Sequence, residues 1–121
     1  MRFDADAMLQ VVDGDLELLG ELARLFGEQG SAHLSGLHDA VAAGDTAEIR
    51  RLGHALKGSA ATLYGKRAAE LGHRMEEAGQ KGDLVTARAT LPELNDEVHA
   101  LQEELAALAR RLNGDKGRSR S

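Results

Sequence analysis

The chain has no cysteine and no tryptophan, a single proline, one tyrosine and two phenylalanines. Without cysteine there is no disulfide scaffold, thiolate metal site or cysteine nucleophile; a reducing cytoplasm is compatible with this and is the expected location. So few aromatic residues mean that any core is aliphatic. No apolar run approaches the roughly 18 residues of a membrane span. The start, Met1-Arg2-Phe3-Asp4, lacks a signal-peptide pattern. A formal net charge of −5 argues against nucleic acid as a partner. Glycine-rich phosphate loops, nucleophile elbows and kinase nucleotide motifs are also missing, so nothing here binds ATP. What remains, at 121 residues rich in Ala, Leu and Glu, is one helical domain without an enzyme's motifs.

The pattern divides into a short lead-in and four main segments. Asp4 is a fair N-cap for a short helix through Val12, ended by Asp13-Gly14. A second helix is expected from Asp15 to about Ala43, with Leu18, Leu22, Leu25, Phe26, Leu34, Leu37 and Val41 near helical spacing. Gly27 and Gly30 weaken its middle, which leaves room for a kink or a break there. Gly44-Asp45 pairs a terminating glycine with an N-cap. A third helix then runs to about Leu63, and Tyr64-Gly65 forms the next turn. The fourth, about Lys66 to Gln80, carries Ala68, Leu71, Met75 and Ala78 on one face, and Gly82-Asp83 repeats the stop-and-cap signal.

The last segment spaces Leu84, Ala87, Leu91, Leu94, Val98, Leu101, Leu105, Leu108 and Leu112 by threes and fours. That repeat suits a coiled-coil seam or a bundle helix, and the apolar faces of the neighbouring segments favour the bundle. Pro92 and the capping-box match Thr90-x-x-Glu93 predict a kink or a fresh helix start near residue 90. Short loops between long amphipathic helices imply an all-α, antiparallel up-down four-helix bundle with a short N-terminal helix, over residues 1–113. Residues 114–121 have nothing to bury and are expected to form a disordered tail.

One face of the third helix carries unusual chemistry. At about 100° per residue, Ile49, Leu52, Leu56, Ser59 and Leu63 lie opposite His54 and read as the buried side. Arg50, Arg51, Lys57, Gly58 and Ala61 gather around His54 instead. A helical glycine costs about 1 kcal/mol relative to alanine, so Gly58 suggests a need for clearance. An accessible imidazole with a cation three positions on is suited to carrying a phosphoryl group. A surface histidine on a bundle helix is also ordinary, and periodicity alone does not separate the two readings.

With His54-x-Leu56-Lys57-Gly58-Ser59, Gly44-Asp45 ahead of it, and Leu71 and Met75-Glu76 after it, the chain resembles the histidine-containing phosphotransfer family, the carrier domains of multistep phosphorelays and chemotaxis-type kinases. The resemblance covers most of the bundle. It implies that His54 accepts a phosphoryl group from the aspartyl phosphate of a receiver domain, or from a kinase, and passes it to a receiver. It further implies that Lys57 stabilises the added phosphate, and that Gly58 and Ala61 leave room for the partner's active site. By similarity to the chemotaxis kinases, Glu76 orients His54 and His73 supports it. The partners implied are a receiver domain and a histidine kinase, with no membrane contact and a monomeric domain. No cofactor is expected on this chain, Mg2+ belonging to the partner receiver. The alternative is a bundle that docks such partners without being phosphorylated.

One position departs from the family. Where a glycine is usual, ten residues after the acceptor histidine, this chain has Tyr64, with Gly65 following. Either the turn shifts by one residue or Tyr64 itself takes the strained backbone. The remaining histidines, His33, His38 and His99, with acidic neighbours, present a metal-site reading, but no His pair shows the acidic i,i+4 motif of a metalloprotease.

Overall fold

A computed structural model describes the chain from Arg2 to Arg120, with side chains through Gly114. Its five helices are α1 (Ala5–Val11), α2 (Leu16–Ala43), α3 (Thr46–Thr62), α4 (Lys66–Lys81) and α5 (Leu84–Arg120). Of the disordered tail expected over 114–121, residues 115–121 lie outside the described side chains. Among the described residues, no helix is long and apolar enough to cross a membrane.

Each boundary has a local cause. Asp4, Asp15 and Asp45 accept hydrogen bonds from the backbone N–H of Ala7, Leu18 and Glu48, satisfying donors that the first turn of a helix leaves free. Asp83 does the same for Thr86 at the start of α5 and also accepts from its hydroxyl. At the other ends, Gly44 and Gly82 take left-handed backbone angles, both with φ 68°. The N–H groups of Asp45 and Asp83 then reach back to Ala40 O and Ala78 O, closing helix ends that would otherwise leave carbonyls unpaired.

Consecutive helices from α2 to α5 pack against one another, and α5 closes the ring by packing against α2. The interior is aliphatic, as the composition requires. Leu19 and Leu37 of α2, Ile49 and Leu56 of α3, Leu71 and Met75 of α4, and Leu94, Leu101 and Leu105 of α5 are all fully buried. Phe3, Met8 and Val12 of the lead-in join the same core. Arg2 ties this lead-in to α5 through Glu97 and Glu104.

Two expectations about breaks are corrected. The helix α2 runs unbroken past Gly27 and Gly30. Gly30 serves close packing: a Cβ there would lie 2.7 Å from Gln102 Nε2 and 3.3 Å from Val98 Cγ1. The Gln102 amide donates to Gly27 O across the same contact. The helix α5 likewise passes through Pro92 without restarting at residue 90. Burial of Ala87, Leu91, Leu94 and Val98 on both sides of the proline holds it in one piece, because tertiary packing outweighs a single lost hydrogen bond.

Candidate functional site

The site grows out of the way α3 and α4 approach each other. A Cβ built on Gly53 would stand 2.6 Å from Glu76 N and 3.0 Å from Glu76 Cα. One on Gly72 would stand 2.8 Å from Lys57 N, and one on Gly79 would run into the backbone of Arg50. The two helices therefore touch main chain to main chain along a seam of three glycines. Residues flanking the seam are forced together: His54 and Lys57 on α3, Glu76 and His73 on α4.

The Glu76 carboxylate is shared. Its Oε2 lies 2.7 Å from His54 Nδ1, and its Oε1 accepts from Lys57 Nζ at 2.6 Å. The Glu76 side chain retains only 15% of its exposure, against 33% for Lys57 and 68% for His54. The Lys57 hydrogen bond is the main force holding the Glu76 carboxyl down to about 2 from its ordinary 4.5; the His54 bond adds to it and burial opposes it. Glu76 is thus a carboxylate, which only accepts hydrogen bonds. A hydrogen bond across the 2.7 Å contact therefore requires the His54 ring proton on Nδ1.

His73 sits at the margin. Its Nε2 lies 2.7 Å from Glu77 Oε1, while its Nδ1 stays 3.6 Å from Glu76 Oε1, too far for a hydrogen bond. Around His54, Gly58 and Ala61 are exposed. A Cβ on Gly58 would meet nothing within 4 Å. Arg50, Arg51 and Ala47 line a shallow hollow on one side of His54. On the other side, Lys57, Ala61, Tyr64, Ala69 and His73 line a mainly apolar groove.

The structure brings together the four residues singled out in the sequence and adds contacts that reading missed. Lys57 grips Glu76, where the sequence pointed only to a role beside a phosphate. The signal existed: Lys57 shares a helix face with His54, so a carboxylate reaching one reaches the other. Glu77 and the three seam glycines were also missed; Gly72 and Gly79, seven apart on one face, were the available clue. Ser59, placed on the buried face, instead lines a groove with Leu22, Leu25, Phe26, Thr62 and Leu63. Tyr64 itself takes the left-handed backbone, at φ 59°, and Gly65 does not.

The other histidines stand apart. His99 Nδ1 bonds to Asn95 O, and His38 is exposed. Burial, with help from the Arg51 charge, pushes the pKa of His33 down. Among the described residues, no three His, Cys, Asp or Glu side chains are placed to hold a metal ion.

Fold and site together define a class: a helical bundle that presents one oriented imidazole on its surface instead of enclosing a substrate. A family model for the Hpt domain matches residues 21–112, and the chain belongs to that family. The fold is also that seen in the crystal structure of histidine-containing phosphotransfer protein B (HptB) from Pseudomonas aeruginosa PAO1. The TM-score is 0.85 at 21% sequence identity, covering 91% of this chain and 96% of that one. No curated protein sequence matches. As an Hpt domain the protein is a histidine phosphocarrier in a phosphorelay, not an enzyme with turnover of its own, and its partners are receiver and kinase domains.

Proposed function

We propose that His54 is the phospho-accepting residue and that Glu76 holds it in the reactive tautomer. The observation that carries this reading is the 2.7 Å contact between His54 Nδ1 and Glu76 Oε2 on an imidazole otherwise open to solvent. In the forward step the Nε2 lone pair attacks the phosphorus of an aspartyl phosphate on a receiver. The N–P bond forms, the P–O bond breaks and the aspartate leaves as a carboxylate. The ring becomes cationic with its proton still on Nδ1, where the Glu76 carboxylate stabilises it. Transfer onward is the reverse: a receiver carboxylate attacks phosphorus and the N–P electrons return to Nε2.

Lys57 has three donors, so it holds Glu76 and also faces the incoming phosphoryl group. His73, beside Glu77, supplies a polar neighbour. Gly58 and Ala61 leave the clearance that a partner's active site needs. The metal ion that phosphoryl transfer uses comes with the receiver in this proposal, and the domain acts as a monomer.

The test is transfer of labelled phosphate from receiver domains of the same genome. Wild-type protein acquires acid-labile, alkali-stable label, and His54→Gln acquires none. Label surviving in His54→Gln would move the acceptor elsewhere. Receiver binding without transfer would favour the alternative, a docking bundle that is never phosphorylated.

A further inference from the structure

Among the described residues, four helix ends carry a residue with positive φ, and three of them involve residue types that enter that region readily. Gly44 and Gly82 do so at the ends of α2 and α4, and Asp13-Gly14 at the end of α1. At the end of α3 the same pair of hydrogen bonds forms, from Gly65 N to Ala60 O and from Tyr64 N to Ala61 O. There the left-handed residue is Tyr64, at φ 59°. A bulky residue in that region is a genuine outlier, and glycine adopts it freely. Gly65 does not take over that role: it sits at φ −85° as the N-cap of α4, and a Cβ there would lie 2.8 Å from Leu101 Cδ2. The fold therefore tolerates a strained tyrosine where α2 and α4 end on glycine and α1 on an Asp-Gly pair.

The ring does not repay this strain in the core, since Tyr64 keeps 46% of its exposure. It stands in the groove beside Lys57, Ala61 and Ala69. That groove is continuous with the His54 site through Lys57, whose ammonium grips the same carboxylate that orients His54. Ala61 lies on the helix face of His54, roughly two turns along. A half-exposed aromatic ring beside small apolar side chains is the composition of an interface anchor. Lys57 and Lys66 share the groove with Asp4 and Glu70, and Lys57 is held by Glu76, so charge is balanced there and the contact on offer is the ring with its apolar neighbours.

We infer that Tyr64 is a specificity-determining docking residue, its ring seating the receiver domain that exchanges the phosphoryl group with His54. This rests on His54 being the acceptor, because a receiver reaching Nε2 has to lie over this face of α3.

The experiment compares wild type with Tyr64→Gly and Tyr64→Phe, using two donors. One is the panel of phosphorylated receiver domains from the same genome. The other is phosphoramidate, a small donor that needs no docking. Tyr64→Gly is expected to melt at or above the wild-type temperature and to be labelled by phosphoramidate within about twofold of wild type. Its transfer from the receiver should show a KM raised about tenfold, with Tyr64→Phe close to wild type. Unchanged receiver transfer in Tyr64→Gly would reduce Tyr64 to a turn residue. Equal loss from both donors would also overturn the docking role, by showing that the ring supports His54 itself. If wild type takes label from phosphoramidate on His54 but from no receiver, the receiver reading of the proposed function fails, and this inference with it.

Discussion

Replacing Glu76 by glutamine isolates what the carboxylate does. Glu76 serves two donors, His54 Nδ1 at 2.7 Å and Lys57 Nζ at 2.6 Å. Glutamine has one acceptor oxygen and one donor amide, so it satisfies only one of them. If the oxygen turns to Lys57, whose hydrogen bond is the stronger influence on Glu76, the amide faces His54 Nδ1. That nitrogen must then accept, the ring proton moves to Nε2, and the nucleophile is blocked. A hydrogen bond to a charged group contributes about 1.5–3 kcal/mol. His54 is 68% exposed, so water competes and the lower end applies. A barrier raised by about 1.4 kcal/mol slows transfer roughly tenfold. Single-turnover transfer from a labelled receiver, followed by rapid quench, measures the rate. Nitrogen chemical shifts of the His54 ring report the tautomer independently. A Glu76→Gln protein that transfers within about twofold of wild type, with the Nδ1 proton still in place, would refute the reasoning.

The shared carboxylate also predicts a pH dependence. Glu76 titrates lower in the folded protein than its ordinary 4.5, so its stabilising effect is complete above that value and is lost as pH falls toward 2. At face value the drop is worth roughly 3 kcal/mol; with both partners open to water, about 1 kcal/mol is expected, read as acid-induced melting that Glu76→Gln flattens. Lys57→Met should keep the fold, weaken the acid dependence and slow transfer several-fold; unchanged rates would leave Lys57 a solvated charge. Gly53→Ala should destabilise by about 1–3 kcal/mol through overpacking, seen as a lower Tm, and should slow transfer by parting Glu76 from His54. Gly58→Ala, with open space at its Cβ, should instead gain up to about 1 kcal/mol of helix stability, whereas Gly58→Gln should raise the Kd for the receiver while leaving helicity intact.

Periodicity showed an exposed His54 with a cation and cleared space beside it, and the family resemblance supplied Glu76 and His73 as its partners. The His54 face, the apolar opposite face of α3 and the placement of Glu76 on the next helix follow from residue spacing, and the capped boundaries follow from Asp and Gly positions. Glycine inside helices was harder to read. In sequence Gly30 looked like a breaker, and Gly53, Gly72 and Gly79 attracted no reading at all. Their meaning depends on what lies across from them, which one chain segment does not reveal. Pro92 failed for the opposite reason: its local preference is real, but the buried residues on either side outweigh it. At Tyr64-Gly65 the sequence left two backbone solutions. The structure takes the one with Tyr64 left-handed and Gly65 at φ −85°, and Leu101 of α5 lies where a side chain at Gly65 would stand.

The glycine seam gives the site an unusual mechanical footing. Helices held apart by interdigitating side chains shift when those side chains change rotamer or are substituted. Where α3 meets α4 at Gly53, Gly72 and Gly79, backbone rests on backbone, and there is little intervening material to deform. The distance from Glu76 to His54 is therefore insulated from rearrangements in the aliphatic interior. Substitutions among the leucines of α2 and α5 can drain stability from the bundle without detuning its chemistry. The carrier can accordingly drift in most of its core while the alignment of one imidazole and one carboxylate stays in register.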